Sequence, residues 1–331
     1  MKSIAFFNNK GGVGKTTLLC NLAAQLALNE HRSVLVVDAD PQCNATQSLF
    51  SEYDVDRIYE NSEFTINTVI SPLAQGRGFS KDLKPKYSES FGVDVLPGDP
   101  NLALTEDLLA TDWVQAAGGD IRGLRTSFVF GNLLDKCQQY DLVLFDVGPS
   151  LGAINRSVLL AADYFVLPMS IDIFSLRAMD NISKSVQKWR SQLTAGLENV
   201  EDPGDLEVND PEWKLQFAGY ISQQYTAKKD STGTRRPVKA YEDLMKLIPE
   251  AIERNFVQRA ENNGLSEKQL NLGTIPNLHS LIPMSQSSRK PIFELKGSDG
   301  VVGAHFQKVK EFKEIISAVS SHLSTNLEQL S

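Results

Sequence analysis

Residues Asn9 to Thr17 read N-K-G-G-V-G-K-T-T, and no other stretch restricts the possible folds so far. An apolar run, Ile4-Ala5-Phe6-Phe7, precedes it, and an apolar helical pattern from Leu18 to Leu28 follows. Strand, glycine-rich loop and helix, in that order, are the context a phosphate-binding loop requires. Glycines let the backbone curl until several N–H groups point inward, so Gly11, Gly12, Val13 and Gly14 are expected to offer main-chain donors to phosphate oxygens. The helix starting at Lys15 adds its positive dipole end. Lys15 is expected at the β- and γ-phosphates and the Thr16 hydroxyl at Mg²⁺, with Thr17 completing the first turn. The general form G-x-x-x-x-G-K-[ST] is broken at its first position, where Asn9 stands, and an extra lysine, Lys10, follows it.

The rest of the chain supplies a sheet for this loop. Ser33–Asp38 and Asp141–Asp146 are continuous apolar runs ending in acid, as strands buried on both faces read. Further strands are expected at Lys2–Asn8, Val93–Leu96, Tyr164–Pro168, Leu215–Ser222 and Asn271–Ile275. Helical patterns lie between them: Lys15–Asn29, Asn101–Thr111, Leu124–Gln139, Leu151–Ala162, Phe174–Leu193, Val238–Asn255 and Ala304–Leu323. In the last of these, Phe306, Val309, Phe312, Ile315, Ile316 and Val319 form one apolar side. Such alternation implies right-handed crossovers and an α/β fold, a mostly parallel twisted sheet with helices on both faces. One domain over 1–331 is expected, with insertions at about 51–91, holding a short helix near Ile66–Leu73, and at the acidic stretch 198–212.

Two acidic groups accompany the loop. Asp38-Ala39-Asp40-Pro41-Gln42 follows a buried strand, and ligands in open parallel sheets sit at the carboxyl ends of strands. Carboxylates there can position water or a Mg²⁺ shell. Asp146, ending its strand before Val147-Gly148-Pro149-Ser150, stands where nucleotide hydrolases hold Mg²⁺.

Composition excludes several other classes. A net charge of −8 argues against a strongly basic nucleic-acid domain. The four histidines are scattered, and Cys20, Cys43 and Cys137 have no ligand spacing, which fits reduced thiols in the cytoplasm. No apolar run reaches the length of a membrane span, and no targeting segment is expected before the first strand.

Taken together, Lys10–Thr17, Asp38–Gln42 with Asn44-Ala45-Thr46, and Asp141–Asp146 with Pro149-Ser150 resemble the ParA/MinD family of ATPases, most of all its Soj-like ParA branch. Ala161-Ala162-Asp163 with Val166-Leu167-Pro168, and Lys290-Pro291-Ile292, resemble later family segments. The resemblance implies an ATP- and Mg²⁺-dependent ATPase that forms a nucleotide-sandwich homodimer. It also implies non-specific DNA binding, associating the protein with the nucleoid, and a ParB-like partner that stimulates hydrolysis. Lys10 would reach across the dimer to the partner's phosphates, and Asp40 would orient the attacking water. Thr16, Asp38 and Asp146 would serve the metal region, and Pro276 would lie near the adenine.

Departures bear on the DNA half of that expectation. Asn277, Leu278 and His279 carry no fixed charge where relatives are basic. Lys228, Lys229, Arg235, Arg236, Lys239, Arg289 and Lys290 are the remaining candidates for phosphate contacts. Gly148-Pro149 replaces the family's Pro-Pro. A regulatory or cargo-positioning ATPase that acts through a protein partner is the alternative. Membrane cycling is disfavoured because His322–Ser331 contains no Lys or Arg. An iron–sulfur reductase lacks its thiolates, and Ala227-Lys228-Lys229-Asp230 misses the guanine-reading pattern at its first position.

Overall fold

The computed structural model describes residues 1–61, 63–225, 227–229, 235–237, 243–258 and 264–331, with 203, 224, 225, 227–229 and 235–237 described as backbone. Apolar runs become strands β1 (Lys2–Phe6), β2 (Val34–Ala39), β3 (Lys86–Ser88), β4 (Val93–Leu96), β5 (Leu142–Val147), β6 (Tyr164–Ser170) and β7 (Gln216–Tyr225). A short antiparallel ribbon, β8 (Ala227–Lys229) with β9 (Arg235–Pro237), precedes β10 (Asn271–Pro276). The main sheet has the order β10-β7-β6-β1-β5-β2-β4-β3. Every pairing in it is parallel except β3 with β4 at one edge. β2 and β5 are buried at every position, which is why their sequences show no polar alternation.

Helices α1 (Lys15–Ala24), α2 (Asn44–Leu49), α3 (Glu52–Glu60), α4 (Ile66–Ala74), α5 (Glu106–Ala116), α6 (Ile121–Ser127), α7 (Val129–Asp135), α8 (Ala153–Ala161) and α9 (Ile173–Glu198) accompany the sheet. The C-terminal helix, Ala304–Gln329, packs over β10 and α1, and Lys2 Nζ donates to Leu327 O at 2.6 Å. Buried apolar residues from both faces of the sheet form one continuous cluster. α5 is the tightest junction: a Cβ on Gly123 would meet Asp112 O at 2.4 Å, and one on Gly196 would meet Ala116 O at 2.1 Å. Glycine at these two positions lets α6 and α9 touch the α5 backbone.

Several boundaries differ from expectation. The stretch 51–91 is more regular than its polar clusters suggest, since α3, α4 and β3 all lie within it. Ser51 caps α3 through Asp54 N, and Thr65 with Thr68 makes a capping box for α4. The expected helix Leu124–Gln139 is two helices, because Phe128, buried at φ −90° and ψ 17°, leaves helical geometry between them. Asn101–Thr111 is a 3₁₀ turn, Pro100–Thr105, leading into α5. In the C-terminal helix Phe312, Ile316 and Val319 are buried, but Phe306 is 53% exposed, being one turn beyond the surface the helix covers. Among the described residues no helix is long and apolar enough to cross a membrane.

Candidate functional site

Parallel pairing brings distant residues of the chain together at the carboxyl end of the sheet. Phe6 of β1 lies beside Asp146 of β5, and Asp38 of β2 lies on the other side of Asp146. The loop leaving β1 turns through Gly12 at φ 71° and Gly14 at φ 81°, and Gly14 caps α1. No atom would lie within 4 Å of a Cβ on Gly12, so its requirement is conformational rather than spatial.

A cavity of about 470 Å³ opens at this point, and Gly11, Gly12, Val13, Gly14, Lys15, Thr16 and Thr17 line one wall. Across it stand Asp40, Asn44, Pro149 and Arg289. Lys15 is buried, and the loss of water lowers its pKa, opposed by the charges of Asp146 and Asp40. Thr16 Oγ1 donates to Asp146 Oδ2 at 2.7 Å, while the other oxygen, Asp146 Oδ1, is buried with no hydrogen-bond partner. Burial, then the neighbouring charge of Asp38, pushes the Asp146 carboxyl up to about 8. A buried acceptor without a donor, next to a threonine hydroxyl and a lysine, fits a divalent cation held through water or phosphate oxygens.

Asp38 is engaged differently. Its Oδ2 accepts from Thr46 N at 2.7 Å and Thr46 Oγ1 at 2.6 Å, and its Oδ1 lies 3.4 Å from Asp40 N. Burial raises it to about 6, with the Thr46 hydrogen bonds opposing the rise. Thr46 Oγ1 in turn accepts from Gly98 N at 2.8 Å, so Asp38 ties the ends of β2, α2 and β4 together beneath the cavity. Asp40 faces the cavity itself, its Oδ1 accepting from Gln42 N at 3.0 Å.

The loop after Asp146 is held from behind. Asn155 of α8 is buried, and its Nδ2 donates to Gly148 O and Ser150 O, both at 2.7 Å. That fixes Gly148 against Asp40 and Pro149 against Gly11, where added Cβ atoms would stand 3.3 Å and 3.7 Å from their neighbours. Glu106 of α5 accepts from Ala153 N and Ile154 N at the start of α8, favourably placed at a helix N-terminus.

Lys10 does not line the cavity. Its Nζ donates to Ser170 Oγ at 3.0 Å and forms an ion pair with Asp172. Asp172 also caps α9, accepting from Phe174 N and Ser175 N at 2.9 Å each. Partial burial would raise the Asp172 carboxyl, yet the hydrogen bonds from Lys10, Ser170 and Ser175 outweigh it and bring it down to about 2.

A family model described as an AAA domain matches residues 1–199. A chromosome partitioning protein ParA from Myxococcus xanthus is 30% identical over 194 residues, covering 59% of this chain and 61% of that one. The chain belongs to the ParA/MinD family of P-loop ATPases. It spans about two thirds of the length of the curated relatives it matches, 66% for an uncharacterised protein of Pseudomonas putida. A protein of known structure from Corynebacterium diphtheriae is 30% identical with a TM-score of 0.73, and 99% of each chain is covered. The fold also matches cobyrinic acid a,c-diamide synthase from Mycobacterium smegmatis, solved with ADP and magnesium, at 22% identity and a TM-score of 0.53, covering 76% of this chain and 82% of that one.

Pro276 ends the edge strand β10, with β7 and β6 between it and β1, and is not among the residues lining this cavity. From there the chain runs through the helix Leu281–Ser288, which brings Gln286 and Arg289 to the cavity instead. Arg289, a candidate for phosphate contacts, lies at the phosphate-loop cavity, in left-handed backbone at φ 49°. Lys290, the neighbouring candidate, is paired with Asp299 at 2.8 Å. Lys228, Lys229, Arg235 and Arg236 are described as backbone alone, and Lys239 and Asp230 lie outside the described residues. Gln42 and Asn44 of the second acidic segment line the cavity with Gln47 and Ser48, and no spacing rule in the sequence points to the last two.

Proposed function

We propose that this ParA-type chain is an ATPase that binds ATP with Mg²⁺, forms a sandwich homodimer on ATP, and returns to monomers on hydrolysis stimulated by a ParB-like protein. The observation that carries the reading is the convergence of Lys15, Thr16, Asp40 and Asp146 on one cavity whose wall is the phosphate loop. The main-chain N–H groups of Gly11–Thr17 and the Lys15 ammonium bind phosphate oxygens. Thr16 and Asp146 would hold Mg²⁺, which would supply charge neutralisation to the bound phosphates. Asp40 accepts a hydrogen bond from the attacking water and aims it. Asp38 acts beneath them, shaping the Asp40 turn. Calorimetric titration with ATP and Mg²⁺ tests the reading: saturable binding that depends on Mg²⁺ supports it, and heat identical to buffer removes it.

Lys10 gives the cycle a resting position. In the form described it is tied to Asp172 and Ser170 of its own chain, so it must exchange that contact for a phosphate of the partner subunit. Asp172→Asn keeps an N-cap side chain on α9 and removes the ion pair. This variant should form the ATP-bound dimer at several-fold lower protein concentration, measured by light scattering against concentration. A dimer that forms no more readily than wild type would make the Lys10–Asp172 contact irrelevant to assembly. The same substitution has a pH signature. A carboxyl brought down to about 2 from the ordinary 3.8 adds stability above its unfolded value and loses it as pH falls through its folded value. The pair is about one-third exposed, so the contribution is under ~1 kcal/mol. Wild type should therefore hold a small advantage in melting temperature over Asp172→Asn near neutrality that disappears in strong acid.

Asn155 is proposed to keep Gly148–Ser150 in register with Asp40. Asn155→Ala should lower kcat about tenfold while KM changes little, since it frees the loop without removing a phosphate contact. A rise in KM at unchanged kcat would place its effect on nucleotide binding instead.

The proposal extends to non-specific DNA binding by the ATP-bound dimer. Arg289 at the cavity and Lys290 paired with Asp299 favour a second reading, in which the ATPase cycle moves a cargo through protein contacts. Retention of labelled DNA on a filter at low salt, with and without ATP, separates the two. Retention that requires ATP supports the DNA reading, and no retention supports the protein-cargo reading.

A further inference from the structure

The largest open cleft of those described lies away from the phosphate loop, between the two insertions. Its volume is about 1050 Å³, against about 470 Å³ at the phosphate loop. α4 begins beyond the carboxyl end of β4, where Ile66 N donates to Pro97 O, and packs on β2 and α7 as far as the cleft, which its last residues Leu73 and Ala74 line. There the loop 75–81 faces Arg122 and Arg125 of α6, and Lys136, which caps α7 just ahead of β5. Gly76 at φ 68° and Gly78 at φ 78° make the two tight turns that carry Arg77 and Lys81 past the cleft.

Five cations, Arg77, Lys81, Arg122, Arg125 and Lys136, line this cleft in a chain whose net charge is −8. Their compensation is incomplete. Among the described residues Arg77 and Lys81 form no ion pair. Arg122 Nε pairs with the buried Asp112 at 3.7 Å, too long for a hydrogen bond, and the guanidinium is otherwise largely exposed. Lys136 Nζ donates to neutral oxygens of Asn132, at 2.9 Å for the carbonyl. Arg125 lies over the Phe79 ring at 5.6 Å and donates to Glu207 at 2.6 Å, yet its Nε is buried with no partner. Glu207 comes from the acidic insertion, where φ 54° puts it in left-handed backbone. A carboxylate is therefore already bound at one end of the cleft, on the arginine that stacks on an aromatic ring.

From this we infer that the cleft is a docking site for an acidic segment of a partner protein, with carboxylates on Arg77, Lys81 and Arg122 and an apolar side chain against Leu73 and Phe79. Charge complementarity carries the inference, and the lining narrows it. Leu73 and Phe79 give the cleft an apolar wall, which contacts to a phosphate backbone alone do not use. The inference stands apart from the ATPase cycle, because the cleft shares no residue with the phosphate-loop cavity.

Fluorescence anisotropy with the full chain and a labelled peptide of alternating Glu and Leu tests it, with a labelled duplex of mixed sequence in parallel. Wild type should bind the peptide at low salt and release it as salt rises. The double variant Arg77→Glu, Lys81→Glu, confined to an exposed loop, should weaken binding about tenfold or more while its ATP binding matches wild type, which reports an intact fold. Glu207→Gln, which removes the resident carboxylate, should tighten it. Peptide binding that is absent in wild type or unchanged in the double variant overturns the inference. So does duplex binding that depends on Arg77 and Lys81 in place of peptide binding.

Discussion

Lys15→Ala should abolish nucleotide binding in the working concentration range. Lys15 is the cation at the floor of the cavity, 7% exposed and short of water. Hydrogen bonds to charged groups contribute about 1.5–3 kcal/mol each, and a bridging lysine makes more than one. The expected loss is therefore at least ~3 kcal/mol, about a hundredfold or more in Kd. The variant also leaves Asp38, Asp40 and Asp146 crowded at one place without their counter-charge, so any bound polyphosphate meets uncompensated repulsion. Calorimetry and the thermal shift produced by ATP both read this out, with circular dichroism confirming that the variant is folded. ATP affinity within a few-fold of wild type would remove Lys15 from the phosphate site.

The second large effect is expected from Asp40→Ala. Asp40 faces the cavity, and among the described residues the hydrogen bond its side chain accepts at 3.0 Å is local, from Gln42 N. Removing it should leave ATP affinity within a few-fold of wild type. Turnover should fall by about a hundredfold or more, the scale of losing a group that positions or accepts a proton. Because binding survives and hydrolysis does not, the ATP-bound species should accumulate. Steady-state phosphate release together with nucleotide retention measures both halves. Normal turnover would take the water-orienting role away from Asp40.

The parts of this molecule that were legible in the sequence share a physical cause. Strands buried on both faces must be continuously apolar, so Ser33–Asp38 and Asp141–Asp146 announced β2 and β5 and the acids at their ends. Glycines at positive φ and a lysine at a helix start belong to local geometry, which is why Asn9–Thr17 was readable without the fold. What stayed hidden depends on long-range packing. Asn155 reads as an ordinary polar residue of a helix; only the folded chain brings its amide under Gly148 and Ser150. Arg289 reads as a loose surface charge, and the helix before it turns it to the cavity. Lys10 was singled out for what it would do to a partner, but its hold on Asp172 joins residues far apart in sequence. The insertion 51–91 reads as irregular because α3 and α4 are short, and long-range packing sets their places, α3 on α2 and α4 on β2, α7 and the 3₁₀ turn Pro100–Thr105.

In the proposed cycle a second copy of the chain completes the phosphate loop when ATP is bound. Sedimentation velocity of Asp40→Ala with ATP and Mg²⁺, compared with ADP and Mg²⁺, tests it most directly, because hydrolysis cannot empty the ATP state during the run. The expected result is a dimer with ATP, a monomer with ADP, and a monomer in both once Lys10→Ala is added. One and the same species with either nucleotide would contradict it.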